Sequence, residues 1–144
     1  MTEEQRIKIY SFVASCDLGV IATNSCNRSA PEAACVAVTI TENLDIIFGT
    51  SADSRKSKNI MHNSNIAFVI GGNEMEKTTT QIEGVVFLLK DAERKIYEDL
   101  HCVRHPNSAK YRHDPKQQYF KVIPYWIRYH NSSISPTEEW EVDL

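Results

Sequence analysis

Three cations stand close together where an apolar segment runs into a more polar one. Arg55, Lys56 and Lys58 fall within four residues, with hydroxyl groups at Thr50 and Ser54 beside them. Cations are disfavoured in the first turn of a helix, because the macrodipole and the free N–H groups already make that end positive. A phosphate at a helix N-terminus would supply the missing negative charge. The residues alone leave two alternatives open, a phosphate site and a solvated basic helix start that a neighbouring aspartate partly offsets.

The patterns on either side place this cluster between a strand and a helix. Residues 44–50 are apolar and end in Phe-Gly-Thr, which is typical of a buried strand. Ile60 and Met61 then fall on one face of a short helix, behind a capping-type residue, Asp53 or Ser54. The cations are therefore expected in the first two turns of that helix.

The rest of the chain reads mainly as strands. Strands are predicted over 18–23, 33–40, 44–50, 66–70 and 78–89, with one or two more over 119–129, and helices over 2–16, 55–61 and 91–104. Gly84 interrupts the fifth strand, which suggests a bulge or a barrel corner. About six antiparallel strands with hairpin-type connections and three helices favour a barrel-like sheet with helices packed outside it, not a parallel βαβ fold.

Length, charge and composition limit the function. At 144 residues the chain is expected to form one domain, 1–144, and its net charge of −3 is spread along the sequence, which argues against nucleic acid as a partner. No apolar run approaches the roughly 18 residues of a membrane span. The acidic, polar N-terminus is unlike a signal peptide, and the four cysteines show no Cys-x-x-Cys spacing. A cytoplasmic protein with reduced thiols is expected.

Strand order, spacing and local residues together resemble the pyridoxamine 5'-phosphate oxidase-like family, the split barrels that bind flavin mononucleotide (FMN). The resemblance covers nearly the whole chain, from residue 18 to residue 129. Its strongest part is Phe48-Gly49-Thr50, three intervening residues, then Ser54-Arg55-Lys56 and Asn59-Ile60. Asn63-Ser64-Asn65 and Gln81-Ile82-Glu83-Gly84 support it.

The resemblance implies where the phosphate end of FMN binds. In relatives the Ser-Arg-Lys segment holds the flavin phosphate, which here means Ser54, Arg55 and Lys56, with Lys56 the firmer of the two cations. Gly49 and Thr50 end the third strand, whose terminus faces the phosphate and the ribityl chain.

The resemblance also implies where the isoalloxazine ring lies. The second strand, here Ala37-Val38-Thr39, runs along the ring and offers backbone groups to its polar edge. Family members are usually homodimers with the flavin at the interface. Gln81 and Trp126 are therefore candidates for reaching a flavin held mainly by the other subunit.

Departures from the family pattern make oxidation of vitamin B6 itself doubtful. True pyridoxamine phosphate oxidases place an arginine where Glu32 and Ala33 stand here. Their glutamine lies about five residues before the strand glycine, at the position of Thr79, whereas Gln81 is three before Gly84. Their C-terminal arginine-histidine-arginine substrate motif is not matched. The expectation is an FMN-dependent oxidoreductase on an unknown small substrate. The alternatives are a flavin-binding or storage module without a dedicated substrate, a haem-binding split barrel and a deazaflavin cofactor.

A histidine-rich segment offers a second kind of chemistry. His101, Cys102, His105 and His113 lie within 13 residues, and His101 and His105 share one helical face at the spacing that zinc ligands use. No glutamate stands between these two histidines in the metalloprotease arrangement. Imidazoles also favour the negative end of a helix, so a polar helix end without metal is the expected interpretation. In a haem-binding barrel, His101, His105 or His130 would be the axial candidates.

Overall fold

A computed structural model of the protein describes residues 1–72 and 77–144. Its helices are α1 (Glu3–Ser15), α2 (Arg55–His62), α3 (Asp91–Arg104) and a 3₁₀ helix (Pro106–Tyr111). Its strands are β1 (Leu18–Asn24), β2 (Pro31–Ala37), β3 (Thr39–Ile40), β4 (Ile46–Ser51), β5 (Asn65–Gly71), β6 (Thr78–Leu88), β7 (Gln117–Asn131) and β8 (Glu138–Asp143). None of the helices in these two ranges is both long and apolar enough to cross a bilayer.

The strands form one antiparallel sheet that curls into a barrel. Their order is β2-β1-β5-β6-β7-β4-β3, and β8 pairs with β7. β2 and β3 are successive parts of one chain segment, so the two ends of this order meet and the sheet bends back on itself. The expected mainly β split-barrel fold with flanking helices is confirmed.

Two features separate the eight strands from the six expected. The predicted second strand divides at Val38, because its N–H donates to Asp17 O at 3.1 Å and its carbonyl oxygen accepts from His105 Nε2 at 2.8 Å. The segment Glu138–Asp143 was not predicted as a strand, since four of its six residues are acidic. It nevertheless pairs along the end of β7, where Trp140 stacks on Tyr129 with ring centroids 5.1 Å apart.

Aromatic rings fill the barrel interior. Phe48 stacks on Phe120 at 5.3 Å between centroids and meets Phe68 edge-on at 6.0 Å. All three are fully buried, so the strand that leads to the cation cluster is anchored by its inward-facing side chains.

Gly84 marks a bulge, as its position in the sequence predicted. The pairing of β6 with β7 changes register between Glu83 and Gly84. A Cβ at Gly84 would lie 2.7 Å from the backbone oxygen of Ile123, so only glycine permits this approach.

Candidate functional site

The start of α2 is capped by a serine. Ser54 Oγ accepts hydrogen bonds from Ser57 N–H at 3.2 Å and from Thr50 Oγ1 at 3.1 Å. Because both bonds use Ser54 as the acceptor, its own hydroxyl hydrogen remains able to donate elsewhere. The backbone N–H groups of Arg55 and Lys56 begin the helix and have no partner within it. The end of β4 and the start of α2 thus present a small group of donors.

Two of the three cations at this helix start have acidic neighbours: Arg55 lies beside Glu32, and the charge of Lys58 adds to that of Lys116 in lowering the pKa of Asp53. Arg55 Nε lies 3.6 Å from Glu32 Oε2, and the side chain is 68% exposed. Asn59 Nδ2 donates to the same carboxylate at 2.8 Å. This hydrogen bond lowers the pKa of Glu32; burial opposes the shift, and the Arg55 charge adds to it. Glu32 therefore partly neutralises Arg55.

Lys56 has no ion-pair partner among the described residues. Its side chain is half-buried, and burial lowers the pKa of its ammonium. Within residues 1–72 and 77–144, no carboxylate lies within salt-bridge distance of it. Lys58, two residues on, is exposed. Lys56 is therefore the one of the three cations that is partly desolvated without an ion-pair partner among the described residues.

Two cavities lie on either side of this junction. A cavity of about 150 Å³ is lined by Thr23, Glu32, Ala33, Ala34, Arg55 and Lys56. A larger one, of about 290 Å³, is lined by Ala37, Gly49, Thr50, Ser51, His101, Ser108, Tyr111, Asp114 and Gln117. We call the larger one the α3 cavity, since α3 and the segment after it form one wall. Thr50 lines this cavity and also bonds to the cap of α2, so it connects the two places.

Gly49 keeps the floor of the α3 cavity open. A Cβ at this position would lie 2.7 Å from Gln117 Nε2 and 3.1 Å from the Tyr119 ring. A larger residue would therefore displace these side chains into the cavity. The small residues Gly49 and Ala37 leave room for a ligand beside the end of β4.

The three residues predicted to follow the flavin ring differ in what they can offer. Both backbone polar groups of Val38 are bonded within the chain, to Asp17 and His105. Thr39 Oγ1 shares a hydrogen bond with His101 Nδ1 at 3.0 Å. Ala37 lines the α3 cavity and is the member of this group that a ligand there would meet.

Gln81 and Trp126 lie on a different surface. Gln81 is exposed on β6, opposite Val69 and Arg128, and Trp126 is half-buried on β7, opposite Glu83. The start of α2 follows the end of β4, where Thr50 pairs with Gln118 of β7, whereas Trp126 lies eight residues farther along β7, about 26 Å at ~3.3 Å per residue. Gln81 pairs with Arg128, which is still farther from that end of β7. One copy of the chain does not bring these two residues to the start of α2.

The wall of the α3 cavity contains residues that were not predicted to lie beside the flavin. His101 is 2% exposed, and burial, followed by the nearby His105, lowers its pKa to about 4. It is therefore a neutral, buried imidazole and not part of a solvated helix end. Ser108, Asp114 and Gln117 come from later turns and from the start of β7. Their distance in sequence from Gly49 left no local pattern that could have grouped them.

Three of the histidines take part in hydrogen bonds within the chain. No group of three or more His, Cys, Asp or Glu residues in the described part of the chain is arranged to hold a metal ion. His105 Nε2 is bonded to Val38 O, and His130 Nδ1 lies 2.7 Å from Glu139 Oε2. Each of the three haem candidates thus already uses one ring nitrogen within the chain.

Comparison with protein families identifies the chain. The family model described as pyridoxamine 5'-phosphate oxidase matches residues 6–131. The chain belongs to the pyridoxamine 5'-phosphate oxidase family. The resemblance that the Gly-Thr and Ser-Arg-Lys segments indicated is therefore confirmed. Comparison with curated proteins gives no match.

Solved structures share the fold of this family member. General stress protein 26 from Bacillus anthracis is 19% identical, with 98% of this chain and 99% of that one covered and a TM-score of 0.76. A related protein of the pyridoxinephosphate oxidase family from Clostridium acetobutylicum is 15% identical, with coverage of 100% and 97% and a TM-score of 0.73. A haem-binding protein from Mycobacterium smegmatis is 12% identical, with a TM-score of 0.83; 99% of this chain covers 59% of that protein. At these identities the likeness concerns the fold.

Proposed function

We propose that this family member binds FMN as a homodimer and acts as a flavin-dependent oxidoreductase on a small substrate. The observation that carries the proposal is Lys56, a half-buried ammonium at the start of α2 without an acidic partner among the described residues. A phosphate there would compensate both the ammonium and the positive end of the helix.

The chain's own groups suit a phosphate at this position. The free N–H groups of Arg55 and Lys56 and the Ser54 hydroxyl are further donors at the start of α2. Arg55 is expected to contribute less, because Glu32 shares its charge. Ser54 and Lys56 would hold the phosphate, while Thr50 orients the Ser54 hydroxyl.

The other end of the flavin would lie beside Ala37 and Gly49, where small residues leave space. Bound flavin supplies the transfer of two electrons between a reduced donor and an acceptor. The protein's part is to hold the ring at the end of β4 and to keep water from its buried face. Val38 and Thr39 then act behind the ring, by fixing β2 and β3 to α3.

An exposed apolar face supports the homodimer. Leu18, Val20 and Val69 lie on the outer face of β1 and β5 and are 59%, 40% and 44% exposed. Gln81 extends this face, since it lies directly opposite Val69. A second copy packed here would cover apolar surface and bring its Gln81 and Trp126 toward the first copy's flavin.

Replacement of Val69 tests the dimer. Val69→Glu places a charge in the proposed interface and should shift sedimentation from the mass of two chains to that of one. Val103→Glu is the matched control, because Val103 is 80% exposed on α3. A wild-type chain that sediments as a monomer contradicts the dimer.

Flavin titration tests the phosphate site. Lys56→Ala should weaken FMN binding roughly 10- to 100-fold, because a charge-assisted hydrogen bond contributes about 1.5–3 kcal/mol. Its affinity for riboflavin, which has no phosphate, should stay within about twofold of wild type. Lys58→Ala is the control, as an exposed lysine on the same helix. The measurement is quenching of flavin fluorescence; equal losses for FMN and riboflavin, or none for either, contradict the proposal.

Turnover separates the oxidoreductase from a flavin store. An oxidoreductase and a flavin-storage protein would show the same preference for FMN over riboflavin in the titration, so binding alone does not distinguish them. The oxidoreductase should consume a reduced nicotinamide or another small donor with FMN bound, whereas a store should not. A Soret band without flavin absorbance in the purified protein would favour the haem alternative.

A further inference from the structure

The α3 cavity contains polar groups that the flavin proposal does not use. Its wall on the strand side is formed by Ala37, Gly49 and Thr50, which the flavin would also contact. The opposite wall is formed by His101, Ser108, Tyr111 and Asp114. At about 290 Å³ the cavity is close to the lower limit of small-molecule sites.

The charge of this wall differs from that of the α2 start. Asp114 is the single charged side chain among the described residues that line the cavity. One of its carboxylate oxygens accepts from Lys116 N–H at 2.8 Å, which leaves the other available. Of the neighbouring cations, Lys116 pairs with Asp53, which raises its pKa with a smaller contribution from Asp114; Arg112 pairs with Glu98 and Asp99, and Lys110 packs on the Tyr111 ring. None of these three cations lines the cavity, so a carboxylate or phosphate ligand would meet no cationic side chain in its described wall.

His101 adds a neutral polar group to the same wall. Its Nδ1 is used by Thr39, so its Nε2 is left for a ligand. Nε2 offers a ligand one donor if it carries the proton of the neutral ring and one acceptor if Nδ1 carries it. Its burial keeps the ring neutral near pH 7, so it does not attract an anion.

We propose that the α3 cavity is the substrate subsite and that it takes a small, uncharged or cationic molecule with N–H or O–H donors, held by Asp114 and His101. As a substrate subsite it rests on the proposed flavin function, because the two share the end of β4. It would exclude substrates that carry a phosphate or carboxylate at this point. The chain would thereby bind the anionic phosphate end of the cofactor at the start of α2 and a non-anionic substrate in the α3 cavity.

Three probes of nearly equal size and different charge test this inference. Benzamidinium, benzamide and benzoate are titrated into the ¹⁵N-labelled protein, with and without saturating FMN, and amide shifts are followed by NMR. Benzamidinium should bind at least about fivefold more tightly than benzoate, a difference that one partly exposed carboxylate can provide. The shifts should centre on Ser108, Tyr111 and Asp114, which line the wall opposite the strands. Saturating FMN should leave probe binding within about twofold, since the two ligands use opposite walls.

Asp114→Asn supplies the matched variant. It should bring benzamidinium and benzamide to within about twofold of each other, while Asp143→Asn, an exposed aspartate at the end of β8, should not. Benzoate binding as tightly as benzamidinium, shifts centred elsewhere, or displacement of the probes by FMN would overturn the inference. A chain that fails to bind FMN but ranks the probes as expected disproves the flavin function and keeps the cavity's preference.

Discussion

The start of α2 and the end of α3 both lie against β4, yet they use their polar groups in opposite ways. At the start of α2, Ser54 and Lys56 keep donors that no described part of the chain takes up. At the end of α3, His101 and His105 are bonded to the segment that joins β2 and β3. The first region leaves donors unsatisfied among the described residues, whereas the second uses its histidines to fasten the barrel to its helix. A cluster of polar residues is therefore available to a ligand only where the fold leaves it unsatisfied.

Removal of the His101 side chain should have the largest effect on stability. His101→Ala empties a buried volume and leaves Thr39 Oγ1 without its partner, for a loss of about 3–5 kcal/mol. Urea unfolding at pH 7.5 measures it. His113→Ala is the control, because His113 is exposed. A loss of less than about 1 kcal/mol would contradict the fastening role of α3, since surface changes rarely exceed half that value.

Low pH should weaken the attachment of α3 to Thr39 through His101 and so lower the stability of the fold. The unfolded chain protonates His101 near pH 6.5 and the folded chain only near pH 4, so the unfolded state binds more protons between these values. The contribution is intact above pH 6.5 and is lost as the pH falls toward 4, by roughly 3 kcal/mol in total. Unfolding free energies at pH 7 and 4.5 should therefore fall more steeply for wild type than for His101→Gln. Parallel slopes would show that this imidazole is protonated in the folded chain.

Loss of the α2 cap should have a moderate effect. Ser54→Ala removes the acceptor for Ser57 N–H and should lower stability by about 1 kcal/mol. It should also weaken FMN binding, because the hydroxyl is one of the proposed phosphate donors. Ser54→Asp restores the cap but places a charge against a phosphate. If the aspartate variant binds FMN as well as wild type, the phosphate does not lie at this helix start.

The smallest expected effect concerns the acid beside Arg55. Glu32→Gln removes the carboxylate 3.6 Å from Arg55 and should tighten FMN binding by about two- to fivefold, as expected for a partly exposed pair. Glu141→Gln, on the exposed face of β8, is the control. Weaker binding in Glu32→Gln would mean that Glu32 orders Arg55 for the phosphate and does not compete with it.

Much of the fold could be predicted because its signals are local. Short apolar runs indicated β1, β4 and β5, and Gly84 indicated the bulge. The break at Val38 could not be predicted, since it depends on Asp17 and on His105, 67 residues away. β8 was missed because its acidic residues hide the half-buried Trp140 and Val142, which pack against the core.

In the candidate site, too, the features that depend on neighbouring residues could be predicted and those that depend on distant contacts could not. Thr50, Ser54, Arg55 and Lys56 are neighbours in sequence, so their proximity followed from one strand and one helix. The difference in charge compensation between Arg55 and Lys56 could not be predicted in this way, because the carboxylate beside Arg55 belongs to Glu32, on another strand. His101 and Asp114 join Gly49 only through the packing of α3 on β4.

The sequence by itself determined the family, the barrel and the place of the cation cluster, because each depends on patterns of a few neighbouring residues in a set order. The tertiary structure decided which of those polar groups remain available. Burial and hydrogen-bond partners come from distant segments. Glu32 partly neutralises Arg55, and the β2–β3 connection forms hydrogen bonds with His101 and His105. Lys56 is left half-buried, with no ion-pair partner in the described part of the chain. Those partners are properties of the packed barrel, and no single stretch of residues carries them.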